Sequence, residues 1–380
     1  MKKKRLLFLR AIPLLALVLA LALDGALLFT RDRSFSPLEN RNLRALPAFS
    51  AAGFTSGRYE ADFDGWLADQ FPLRDGWVRL KSALDRFSGR RESGGVLLGQ
   101  GGHLIQRFTP PDPQTYDDTR RALRDFLARH ADLTAWVMIA PTAATVLRDR
   151  LPAFSDAGDE SGYLDRLKAD LSDTQAAFID LRPAFLSAED PAALYYRTDH
   201  HWTSQGAHLA YLELCRTAGL SDDPAAFSPA LLAADFQGTL SAASGFCMAD
   251  REDLWAYLPE AGAPDWVVTW VEENRRSASL YREACLDERD KYAVFLGGNF
   301  AQVRVETTAP GGTLLLLKDS YANCMVPLLT QHFSKILVVD PRYFTGDLQT
   351  LMAAENVDTL LILYNALTLA RDTALAADLR

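Results

Sequence analysis

Residues 197–207 read RTDHHWTSQGA, which places an aspartate, two histidines and a tryptophan in consecutive positions of a chain with only six histidines. An imidazole at His201 can take a proton from a hydroxyl. A carboxylate two residues earlier, Asp199, can orient that ring and stabilise its cation. The hydroxyl to pair with it is Ser320 in TLLLLKDSYANCMVP, where an apolar run passes directly into Asp319-Ser320-Tyr321. A serine at a strand-to-helix turn exposes its hydroxyl at the sheet edge, where N–H groups of the next turn can stabilise an oxyanion. A third polar end, Tyr364-Asn365 in VDTLLILYNALTL, offers an amide that can donate to an oxyanion or simply form a turn.

Each feature has a plainer structural alternative. Ser320 and Asp319 can cap a helix, as can Thr203 or Ser204 after the histidines. Metal binding would draw on Asp199, His200, His201 and His208, but adjacent histidines rarely share one ion and no HExxH pattern is present. His200 can compete with His201 as base, although His200 and Trp202 are expected to shape and pack the site. Tyr321, Asn323 and Arg342, near strand ends, are candidate substrate contacts that packing could equally explain. The pattern calls for no cofactor and no metal.

The elements that would position these groups alternate along the chain. Apolar runs at 134–140, 177–181, 292–296, 313–317, 335–339 and 359–364 read as strands, and 115–130, 160–175, 204–217 and 347–354 as helices. Continuous apolar strands separated by helices imply an α/β fold, a parallel sheet with helices on both faces. Ligands of such sheets bind at the carboxyl ends of strands, where the three polar ends fall. Residues 220–290, rich in Ala, Ser, Asp and Glu, interrupt the rhythm as an insertion into a domain spanning 111–380. Upstream, 32–110 combine a Pro-bounded tether, a helical stretch with Phe54, Tyr59, Phe63, Trp66 and Phe71 as a packing stripe, and a hairpin at 94–105.

The first 31 residues bear on location. MKKKRLLFLR carries five basic residues, and from Leu6 to Phe29 only Arg10 and Asp24 are charged. Roughly 20 apolar residues span a bilayer, so an N-terminal transmembrane anchor is expected, its basic flank cytoplasmic and the body outside. A cleavable signal peptide ending near ALA (20–22) is the alternative; either exports the body. The net charge of −9 argues against nucleic acid as a partner. Cys215, Cys247, Cys285 and Cys324 have no zinc-site spacing; a Cys247–Cys285 disulfide and free buried thiols are both open.

The order of the motifs resembles an SGNH (GDSL-like) esterase circularly permuted, with the aspartate and histidine upstream of the serine. That arrangement is similar to the alginate O-acetyltransferase-like proteins. The fuller resemblance is to the bacterial DHHW family, carried by ENRNL (39–43), DQFPLRD (69–75), VLLGQGGHLI, APT (140–142), TDHHWTSQGA, FLGGN (295–299), KDSYAN (318–323) and VVDPRYF (338–344). It implies Ser320 as nucleophile, His201 as general base and Asp199 as its orienter, with D-x-H spacing in place of the esterase D-x-x-H. By the same analogy, a membrane-bound O-acyltransferase would supply acetyl groups for O-acetyl transfer to an extracellular polysaccharide. A carbohydrate esterase with the same residues, or a non-catalytic glycan-binding scaffold of an export assembly, are the competing functions.

Overall fold

The computed structural model describes residues 31–380 except 37, 39–40, 223–225 and 247–250, together with Pro13, Val18 and Gly25. The expected anchor, part of ENRNL, and Cys247 therefore lie outside the described residues. Among the described residues no helix is long and apolar enough to cross a membrane. The chain divides into two compact units, one of residues 1–90 with 245–247 and one of the remainder.

In the smaller unit, helices Arg58–Gln70 and Arg74–Phe87 follow one another. The aromatic stripe packs on itself, with Tyr59 on Phe63 and Phe63 on Trp66 at ring separations of 6.1 and 5.3 Å. The buried Asp69 carboxylate accepts from the Arg41 guanidinium and the Arg44 N–H. Its pKa falls to about 2, chiefly through the Arg41 bond.

The larger unit is built on an eight-stranded mixed sheet. In chain order its strands are β1 (Thr134–Ala140), β2 (Ala177–Ile179), β3 (Trp266–Trp270), β4 (Arg275–Ser277), β5 (Gln302–Thr307), β6 (Thr313–Lys318), β7 (Lys335–Val339) and β8 (Thr359–Asn365). Their spatial order is β4-β3-β5-β7-β6-β8-β1-β2. The β7-β6-β8-β1-β2 pairings are parallel, whereas β3, β4 and β5 run antiparallel at one edge. The all-parallel expectation thus needs correction at that edge, which β3 and β4, both from the 220–290 segment, extend. Counted from the serine strand β6, the parallel five follow the doubly wound order 2-1-3-4-5, with the fourth and fifth strands supplied first in the chain.

Strand alternation divides the core. Leu314, Leu316, Leu361 and Leu363 join one buried cluster, and Leu315, Leu317, Leu360 and Ile362 join the other. Helices α1 (Pro113–Arg129) and α2 (Glu160–Asp170) contribute to the second cluster. Helix α3 (Ser204–Ala218) contributes to the first, and α4 (Leu348–Glu355) adds Leu348 and Met352 to the second. Burial on both faces explains why these strands read as unbroken apolar runs. The exception is 292–296, which is not a strand. Lys291–Val294 is a 3₁₀ turn followed by Leu296 at φ 61° and by Gly297 and Gly298 at positive φ. Periodicity alone cannot separate such a short buried run from a strand.

Candidate functional site

Ser320 opens a 3₁₀ turn, Ser320–Cys324, after the end of β6. Asp319 caps that turn by accepting the Tyr321 N–H at 2.9 Å. The sequence D-S-Y thus releases the strand and starts the turn in one step, leaving Ser320 partly exposed while Asp319 and Tyr321 are buried. Among the described residues the Ser320 backbone N–H has no hydrogen-bond partner.

The histidine segment is a narrow loop. Tyr195 bridges Trp202 across its base, and Thr203 donates its N–H to Leu194 O at 2.9 Å before capping α3 through Gly206 N–H. The 220–290 segment clamps the loop. The Glu252 carboxylate accepts the N–H groups of Arg197 (2.6 Å) and Thr198 (2.8 Å) and the Thr198 hydroxyl (2.6 Å). Gly238 donates to Thr198 Oγ1 at 2.9 Å. A Cβ at Gly238 would lie 2.1 Å from Asp199 Cβ, so only glycine allows this approach.

The loop and the serine turn meet. His201 Nε2 lies 2.8 Å from Ser320 Oγ, and His201 Nδ1 lies 2.5 Å from Asp199 Oδ1. The His201 N–H also donates to Asp199 Oδ1 at 2.9 Å. Asp199 Oδ2 accepts from the Thr239 N–H at 2.7 Å and the Thr239 hydroxyl at 3.0 Å. Burial raises the Asp199 pKa, but the adjacent His200 and His201 and these hydrogen bonds outweigh it and hold the carboxyl well below its usual range. The Tyr292 ring stacks on His201 at 3.8 Å and 10°. An ionised, acceptor-only carboxylate fixes the hydrogen of His201 on Nδ1 and turns the Nε2 lone pair toward Ser320. Such an arrangement can abstract a hydroxyl proton.

The other candidate residues surround this line. His200 is half-buried; its ring centroid is 3.8 Å from that of His201, and its Nδ1 is 3.0 Å from Thr239 Oγ1. Burial, followed by the charge of His201, lowers its pKa to about 4. Trp202 is fully buried and donates Nε1–H to Tyr321 O at 2.9 Å, while the Tyr321 hydroxyl donates to His200 O. Both therefore join loop to turn rather than face solvent. Asn323 is buried and donates weakly to Gly298 O and Asn299 Oδ1. Both amide hydrogens of Asn365 are committed, to Asp319 Oδ2 (2.5 Å) and Thr368 Oγ1 (2.6 Å); it caps the following helix and is not free to donate to an oxyanion. Arg342 donates to Asp340 through Nε at 2.8 Å and Nη2 at 2.6 Å. Asp340 also pairs with the buried Lys318 ammonium at 3.2 Å.

The ligand atoms of Asp199, His200 and His201 lie within 4.8 Å of one another. The His201 nitrogens are engaged with Asp199 and Ser320, and His208 stacks on Tyr257 at 4.4 Å, away from the group. Cys215, Cys285 and Cys324 are free buried thiols. A cleft of about 900 Å³ opens beside the same loop, lined by Tyr195–Arg197, Thr203–Gln205, Arg150 and the exposed Trp255; Ser320 is not among its walls. Sequence reasoning missed Gly238, Thr239, Glu252 and Tyr292. They come from the segment with no periodic signal and from the misread run at 292–296.

The sequence model of the SGNH hydrolase-like domain of acetyltransferase AlgX matches residues 108–299, half of the chain. The chain belongs to that family. The matched stretch includes Asp199 and His201 and ends before Ser320. Probable alginate O-acetylase AlgJ of Pseudomonas aeruginosa is 27% identical over 48% of this chain, and the chain spans about half the length of that relative. A DHHW family protein from Eubacterium siraeum is similar in structure, with a TM-score of 0.62 and 20% identity over 75% of this chain and 95% of that one. Bacillus cereus PatB1 with a sulfonyl adduct gives a TM-score of 0.62 and 19% identity over 73% and 97%. These two structures share the α/β fold, and the SGNH hydrolase-like description comes from the family model.

Proposed function

We propose that this AlgX-family chain is an extracytoplasmic O-acetyltransferase that modifies a polysaccharide through an acyl-Ser320 intermediate. The observation that carries the reading is the continuous line from Asp199 through His201 to Ser320, with contacts of 2.5 and 2.8 Å. In acylation, Ser320 Oγ attacks the acetyl carbonyl carbon as its proton passes to His201 Nε2. Asp199 stabilises the resulting imidazolium, and the Ser320 N–H is available to the oxyanion. The imidazolium then protonates the departing group of the donor. In deacylation, an acceptor hydroxyl gives its proton to the same nitrogen and attacks the acetyl carbon. The Ser320–acyl bond breaks and Oγ recovers the proton.

Likeness to a probable alginate O-acetylase points to a polysaccharide acceptor, and the cleft supports it. Trp255, 42% exposed at the cleft wall, offers the flat apolar face that sugar rings stack on, beside arginines and carboxylates that can bond hydroxyls. The apolar stretch after MKKKR would hold the body at the outer membrane face, close to a membrane-bound acyl supplier. Ser320→Ala tests the reading. The variant should fold, as read by circular dichroism and melting, and release no acetate from an activated acetyl ester. Undiminished turnover would refute the role of Ser320. Free acetate in preference to acetylated sugar, with acceptor present, would instead identify an esterase.

A further inference from the structure

We propose that His200 Nε2 binds a second hydroxyl of the acceptor sugar, so that the site selects a vicinal diol. The proposal rests on the acyl-Ser320 reading and specifies its acceptor.

It begins with the hydrogen count at Thr239. Asp199 is ionised and can only accept, so the Thr239 Oγ1 contact to Asp199 Oδ2 at 3.0 Å uses the single hydroxyl hydrogen. The contact between Thr239 Oγ1 and His200 Nδ1, also 3.0 Å, must then run the other way, with Nδ1–H donating to the threonine. A neutral imidazole protonated on Nδ1 carries a bare lone pair on Nε2. The lowered His200 pKa of about 4 is consistent with the neutral form. Nε2 has no partner among the described residues, and the side chain is 31% exposed.

His200 is therefore an acceptor with its tautomer fixed, beside the base but not part of it. The two imidazoles are 3.8 Å apart between centroids and inclined by 38°. One hydroxyl of a sugar can deliver its proton to His201 Nε2 as its oxygen attacks the acyl carbon. The neighbouring hydroxyl donates to His200 Nε2 and keeps its proton. Every atom balances as in simple deacylation; His200 adds orientation and takes no proton. A lone alcohol has no second hydroxyl for this nitrogen.

The test uses p-nitrophenyl acetate as donor with cis-cyclohexane-1,2-diol or cyclohexanol as acceptor, measuring acetylated alcohol against free acetate. Wild type should favour the diol by about tenfold in kcat/KM, the worth of one oriented hydrogen bond. His200→Asn keeps a donor toward Thr239 and removes the distal acceptor, so the diol preference should fall toward unity. His200→Gln, whose longer amide can place an oxygen near the Nε2 position, should recover part of it, which a merely structural role would not. A preference that survives His200→Asn, equal use of both alcohols by wild type, or hydrolysis alone would overturn the proposal even with acetyl-Ser320 formed. Absence of acetyl-Ser320 in wild type would instead overturn the acyl-enzyme reading, and this inference with it.

Discussion

Replacing Asp199 by asparagine changes one atom and disturbs four hydrogen bonds. The carboxylate takes the Nδ1–H and N–H of His201 on one oxygen and the N–H and O–H of Thr239 on the other. An amide has one acceptor oxygen, so two of these donors must face an NH₂ group. The Thr239 hydroxyl can rotate; the two backbone N–H groups cannot. Either orientation thus strands one buried backbone donor, at about 1–3 kcal/mol. With the NH₂ toward His201, the ring must carry its hydrogen on Nε2 and cannot take the Ser320 proton. With the oxygen toward His201, the tautomer survives but the imidazolium loses its counter-charge. The expected loss in kcat for p-nitrophenyl acetate is about 10³–10⁴-fold, roughly 4–5.5 kcal/mol in the barrier. The thermal midpoint should fall by roughly 2–6 °C. An Asp199→Asn protein that melts in that range yet keeps activity within about tenfold of wild type would refute the argument that this carboxylate sets the imidazole.

Three further outcomes are expected. Asp340→Asn leaves the buried Lys318 and the Arg342 guanidinium without their shared anion and should cost about 3–5 kcal/mol in urea unfolding. Lys318→Met, which leaves the Asp340–Arg342 pair intact, should cost less than half that; equal costs would contradict the pairing. His200 is held neutral by burial in the folded state, whereas the unfolded chain takes a proton below about pH 6.5. Its contribution to stability is intact above that pH and declines toward pH 4. Melting curves over this window should show a shallower pH slope for His200→Asn, with the similarly lowered His103, His208 and His332 supplying the remainder. Trp255→Ala should raise KM for a polymeric acceptor about fivefold, the worth of one lost stacking face, with a smaller effect on a monosaccharide; the reverse pattern would remove the cleft from the acceptor path.

The chain displays its sheet because the central strands are buried on both faces. Thr134–Ala140 and Lys335–Val339 are therefore legible to the residue, and the reactive ends DS and DHHW stand out against apolar runs. Long-range placement is less visible. Strand β5, QVRVET, lies between the antiparallel β3 and β7 and alternates buried with less buried residues, and the expectation of continuous apolar strands passes over it. Thr239 and Glu252 hold the histidine loop through hydrogen bonds between residues 40 to 55 positions apart. A lone threonine or glutamate in an aperiodic segment gives no local sign of such a partner. Asn365 illustrates the opposite difficulty. Its place at a strand end suggests oxyanion chemistry, but the helix start after it and the buried Asp319 claim its amide.

The central claim is that an acetyl group passes through Ser320. Brief exposure of the protein to p-nitrophenyl acetate, acid quenching and peptide mass spectrometry tests it directly. One acetyl group is expected on the peptide containing Ser320, lost when a diol acceptor is added and absent in Ser320→Ala. Turnover without acetylation of that serine, or with the label unchanged in Ser320→Ala, would contradict it.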